Sequence, residues 1–193
     1  GPGADGESAC GEVRPLFGGS PSPRQAFSLC ATPRCLVLFG GSTGKGKLLA
    51  DLYVLCTTSL AWRKVERAGG QLQKAGGDAG EKACGNGVWP CARAGHSMTR
   101  IGAWMYLYGG VAPKGSDGCF KLPAPPVYRM HWRDWDGGAG GGGEARQGGD
   151  EHRAPVWERP EVSGGVSADV GQSAHGAAAV GSNLVIFGGR TRG

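Results

Sequence analysis

The chain has 193 residues, 39 of them Gly and 12 Pro, and only 8% are aromatic and 19% charged. Its net charge of +5 comes from 21 basic and 16 acidic residues with no run of five or six like charges, which excludes the concentrated basic stripe of a nucleic-acid surface. No stretch approaches the roughly 20 apolar residues of a membrane-spanning helix, and the seven Cys and four His show no C-x-x-C or other common zinc spacing.

Residues 1–22 open on GPGADG and read as a flexible, irregular N-terminal segment. With no initiator Met and no secretory apolar stretch, they suggest a piece of a longer protein. The first structured unit is expected over 23–68. It contains LVLFGGSTGKGKLL (36–49), which starts like a phosphate-binding loop, with Gly41, Gly46 and Lys47 at the right spacing. Leu48 stands where the Mg²⁺-ligating hydroxyl belongs, and LLADLYVLC continues as strand rather than as the helix whose N-terminus would face the phosphates. DLYVL (51–55) and AWRKVE (61–66) supply two further β-prone runs.

Residues 69–90 form a Gly-rich insertion, expected to be solvated because nothing in it can build a core. A second unit follows over 91–162, with a disordered insertion expected at about 136–155, and 163–193 repeats the first half of such a unit. LVLFGG (36–41) returns as MYLYGG (105–110) and LVIFGG (184–189). Upstream, PRQAFSL, ARAGHSM and GQSAHGA align on Phe27, His96 and His175. The interval to the first Gly is 13 residues each time: 27 to 40, 96 to 109 and 175 to 188. Tyr53 and Trp62 in the first unit match Tyr128 and Trp157 in the second. Each complete unit thus offers four short strands with no helical period between them, the pattern of a β-propeller blade.

This succession, an R-x-G-H-S-like start, Gly-Gly after an apolar strand, then Tyr, then Trp, resembles the kelch repeat, whose units run about 50 residues. Here the Gly pairs are 69 (40 to 109) and 79 (109 to 188) residues apart, the surplus falling in the insertions. The resemblance implies an all-β fold: a partial kelch-type β-propeller of four-stranded antiparallel blades, with kelch blades at 23–68 and 91–162 and the first half of another at 163–193. The Gly pairs 40–41, 109–110 and 188–189 then serve tight turns and close strand approach, not a nucleotide.

The resemblance further implies a protein–protein interaction module, a scaffold or substrate-adaptor part with no catalysis of its own. The alternative is a docking part of a larger enzyme, fused or galactose-oxidase-like. It places contact residues in the loop after each Gly pair and ahead of the first strand: Ser42, Thr43, Val111, Lys114, Arg190 and Arg93, the last also able to brace the strand. A protein partner is expected, without nucleic acid, membrane or cofactor, and closing the ring needs further blades from the full-length chain or another chain. GHSMT (95–99) lacks the closing Gly of a nucleophile elbow. His131, Asp134 and Asp136 in HWRDWD read as a solvated turn rather than metal ligands. Trp132 and Trp135 fit either a cover over the blade edge or a contact patch. The cysteines, several within apolar runs, read as reduced thiols of a cytoplasmic or nuclear protein.

Overall fold

The computed structural model describes residues 19–66, 89–114, 120–121, 127–132, 155–161 and 172–191. The insertion cores 69–87 and 137–149, Trp135, Asp134 and Asp136 lie outside the described residues. Every regular element among the described residues is a strand.

The first blade runs β1 (Ser28–Ala31), β2 (Cys35–Phe39), β3 (Leu52–Cys56) and β4 (Trp62–Val65), antiparallel in sequence order. The second runs β5 (Ala94–Ile101), β6 (Trp104–Lys114), β8 (Val127–His131) and β9 (Trp157–Glu158), and β7 (Phe120–Lys121) pairs with the far end of β6. In the third unit β10 (Gln172–Ser173) pairs with β13 (Arg190–Thr191), and β11 (Gly176–Val180) forms a hairpin with β12 (Asn183–Phe187). Among the described residues the molecule is all-β, with two antiparallel sheets that each run four strands in sequence order and a further hairpin, the arrangement of a partial β-propeller.

Short runs rich in Val, Leu, Phe and Tyr suit the pleated, half-buried surface of a blade, and their alternation sends side chains to both faces. Leu55 pairs with Trp62 and Met130 with Trp157, so the two tryptophans hold one register position. The core lies between the first two blades. Val37, Phe39, Leu52, Val54 and Val65 of the first pack against Met98, Met105, Leu107, Tyr128, Met130 and Trp157 of the second. Each large apolar side chain so enclosed contributes roughly 1.5–3 kcal/mol. Trp157 is almost fully buried, with its ring 5.6 Å from Phe39 and 6.4 Å from Trp89.

One boundary differs from the one that composition suggests. Trp89 and Pro90, at the end of the expected Gly-rich insertion, are packed: the Trp89 indole donates to the Ala50 carbonyl at 2.9 Å, and Pro90 is fully buried. The apolar contact made by Trp89 outweighs the glycines that precede it. Trp132 covers the blade edge. It is buried, and its indole N–H donates to the Gly102 carbonyl at 2.9 Å, sealing the β5–β6 turn. The GKGK stretch forms a tight turn, with Gly46 N–H donating to Thr43 O at 2.8 Å and Ser42 bridging both Gln25 and Leu48.

Candidate functional site

The Gly-pair end of each blade is where consecutive blades lock together. Ser28 and His96 meet at 2.7 Å (Oγ to Nε2) from blade one to blade two, and Ser97 meets His175 at 2.8 Å from blade two to blade three. The aromatic residue before each Gly pair joins the same contact. Phe39 stands edge-on to His96 at 5.6 Å, and Tyr108 to His175 at 5.1 Å. A backbone relay runs alongside, from Gly95 N–H to Ala26 O and from Ala174 N–H to Gly95 O, both 2.8 Å. Residues 26, 95 and 174 all take positive φ, at 53°, 66° and 55°.

The two glycines of each pair have different neighbours. A Cβ on Gly41, Gly110 or Gly189 would strike its own blade's leading strand, at Phe27, His96 or His175. A Cβ on Gly40 or Gly109 would strike the next blade, at the carbonyl of Arg93 or of Gln172. Gly188 faces nothing within 4 Å. The first glycine therefore marks how closely a following blade approaches, and all six adopt positive φ.

Three residues ahead of Phe27 and His96 stand Arg24 and Arg93, each reaching the carbonyl of its own blade's first glycine. Arg24 donates to Gly40 O at 3.1 Å and Arg93 to Gly109 O at 3.0 Å. Each guanidinium lies over the blade's tyrosine, 5.3 Å from Tyr53 and 5.0 Å from Tyr128. Arg24 also forms a two-point ion pair with Asp51, at 2.6 and 3.1 Å. Arg93, with no exposed surface, is held by Gly109 O, Cys91 O and Cys91 Sγ. Burial, and secondarily the Arg93 charge, push the His96 imidazole down to about 3; burial also lowers His175. Both rings are thereby kept neutral as hydrogen-bonding wedges.

The candidate contact residues fall in varied places. Arg93 is enclosed and braces the strand. Ser42 is 8% exposed and engaged in the bridges above, and Thr43 is half-buried. The exposed tip of that loop is Gly44–Lys47, with Lys45 and Lys47 outward. Val111 and Lys114, expected in a loop, lie in the continuation of β6, and Arg190 lies exposed in β13. Phe27 is 40% exposed where His96 is 7% exposed. Sequence reading missed Arg24, although PRQAF and ARAGH align it with Arg93, and it missed Ser28, the counterpart of Ser97, which with His96 reads from the sequence as a packing and hydrogen-bonding residue of the first strand.

The outer faces at the two ends are apolar. Phe187, in the position of Phe39 and Tyr108, is 85% exposed, with Val185 and Val180 also exposed. At the other end, Phe27 and Leu29 occupy the positions that His96 and Met98 hold in the core and are exposed. Among the described residues, no group of three or more His, Cys, Asp or Glu is placed to hold a metal ion, and no helix is long and apolar enough to cross a membrane.

No family model matches the chain. It is similar to Host cell factor of Drosophila melanogaster, 29% identical over 108 residues, which is 56% of this chain and 6% of that protein. Host cell factor 1 of Homo sapiens is 32% identical over 88 residues, 46% of this chain and 4% of that one. Host cell factor homolog hcf-1 of Caenorhabditis elegans is 30% identical over 116 residues, 59% of this chain and 12% of that protein. The matched part thus spans a small fraction of each relative's length.

Proposed function

We propose that this chain is part of a protein-interaction module, a scaffold or substrate-adaptor propeller whose blades present surface rather than perform chemistry. The observation that carries this reading is the exposed tip Gly44–Lys47, which turns Lys45 and Lys47 outward at the Gly-pair end of the first blade, while the ring and guanidinium side chains behind it are engaged within the fold. His96 and His175 are engaged in joining blades, and the Arg24 and Arg93 side chains in bracing their own, which gives these groups a structural use. Similarity to the Host cell factor proteins is in keeping with a non-catalytic role, and a cytoplasmic or nuclear setting fits the thiols.

The partner-facing rim is assigned to the Gly-pair loops, chiefly Thr43 with the neighbouring Lys45 and Lys47, together with Arg190; Ser42, Val111 and Lys114 form its supporting strands. Ring closure is supplied by further blades of the full-length chain or by another chain. Photo-crosslinking residues placed at Lys45, Phe187 and buried Phe39 in the full-length protein test this. The reading expects a discrete intermolecular adduct at Lys45, none at Phe39, and a cross-link at Phe187 to the blade or chain covering it. Failure of Lys45 to capture any other protein would overturn it.

A further inference from the structure

Cys35 and Cys56 lie directly opposite each other where β2 pairs with β3. The adjacent pair, Arg34 and Thr57, is hydrogen-bonded, with Thr57 N–H donating to Arg34 O at 2.9 Å. Bonded and non-bonded pairs alternate along antiparallel strands, so Cys35 and Cys56 form a non-hydrogen-bonded pair, the class whose Cα atoms approach to about 4.5 Å with side chains on one face. That separation lies within the range a disulfide spans.

Both backbones are pinned. Thr32 N–H donates to Cys35 O at 2.8 Å, and Cys35 N–H to Thr32 Oγ1 at 2.9 Å; Cys56 N–H donates to Ala61 O at 3.1 Å, and Leu60 N–H to Cys56 O at 2.9 Å. Both residues are present as thiols and half-buried, so a small reagent reaches them. Hydrogen bonds from the Ser59 hydroxyl, and from the Ser59 and Thr58 backbone, lower the Cys56 thiol to about 7. The half-buried Arg63 guanidinium interacts electrostatically with Cys35.

We propose that Cys35 and Cys56 are a cross-strand dithiol that exchanges with small disulfides of the oxidised-glutathione type and closes to a reversible disulfide between the two central strands of the first blade, at the end away from the Gly pair. The Cys56 thiolate attacks one sulfur of the reagent, forming a mixed disulfide and expelling one glutathione thiolate, which takes up a proton. Cys35 then gives up its proton, and its sulfur attacks Cys56 Sγ and releases the second glutathione. Two protein thiols are oxidised by two electrons, and one glutathione disulfide is reduced to two thiols. A linkage formed at such a close-approach site is strained and readily reduced, the property of labile rather than structural disulfides.

The test is peptide mapping of the full chain after treatment with oxidised glutathione, followed by alkylation of the remaining thiols. Trypsin separates the two cysteines at Lys45 and Lys47, so their linkage appears as a joined peptide pair. The expected result is a predominant Cys35–Cys56 pair that dithiothreitol removes, with C35S stopping at a glutathione adduct on Cys56. At pH 7, alkylation of Cys56 is expected to run on the order of tenfold faster than that of buried Cys30, whose thiol burial pushes up. Cross-links scattered equally over Cys91 and the other cysteines, a linkage formed only in denaturant, or equal alkylation of Cys56 and Cys30 would each overturn the assignment.

Discussion

His96 sits where burial and the Arg93 guanidinium hold its imidazole at about 3 against an ordinary 6.5, and burial lowers His175 too. As pH falls, the unfolded chain therefore takes up these protons before the folded one does. The stability tied to the neutral rings is intact above about pH 6.5 and is lost progressively as pH drops toward 3. Denaturant midpoints are expected to fall between pH 7.5 and pH 5, a window above the ordinary carboxylate range, and the H96F variant is expected to flatten that fall. A second measurement isolates the Ser28 contact. S28A leaves a buried imidazole nitrogen without its partner at a cost of about 1–3 kcal/mol, and in an H96F background the same change is expected to cost much less. Equal costs in both backgrounds would show that Ser28 and His96 do not act as a pair.

At the scale of the element, the turn leading into each first strand stores strain. Ala26 and Ala174 hold φ of 53° and 55°, where Gly95 stands in the second blade at 66°. Left-handed backbone costs a non-glycine residue roughly 1–2 kcal/mol, partly offset by glycine's greater unfolded-state freedom. A174G is accordingly expected to stabilise the chain by about 0.5 kcal/mol in equilibrium denaturation, and a loss of stability would contradict the account of this turn. The strands themselves were legible in the sequence because Gly-Gly, Tyr and Trp recur in register, with 13 residues from Phe27, His96 and His175 to the pair. The continuation of β6 through Gly109 and Gly110 to Lys114 was not, because Gly, Ala and Pro carry little strand preference and the pairing with β7 is set by tertiary context. The opposition of Cys35 and Cys56 was hidden for a related reason: it depends on the length of the Gly41–Asp51 loop, which fixes register and which periodicity does not report.

At the scale of the whole molecule, one contact recurs at two successive blade junctions among the described residues. The sequence shows the repeated residues; it does not show which faces are covered, since Phe39, Tyr108 and Phe187 occupy the same motif position and differ only in what lies beyond them. Phe27 and Leu29 carry the same ambiguity at the other end, where apolar character alone does not separate a core position from an open face. Gly109 and Gly188 separate the two situations experimentally. Both have nearly the same φ, 66° and 69°, so an alanine at either meets about the same backbone strain, roughly 1 kcal/mol. Only at Gly109 does the added methyl also meet the next blade, at the Gln172 carbonyl and at His175 Cε1, the latter 3.0 Å away. Overpacking of that kind adds about 1–3 kcal/mol. The most direct measurement is the unfolding free energy of G109A and G188A, side by side in this chain. A loss about 1–3 kcal/mol larger for G109A is the result expected if the first glycine of the pair is the seat of the next blade; equal losses would contradict it.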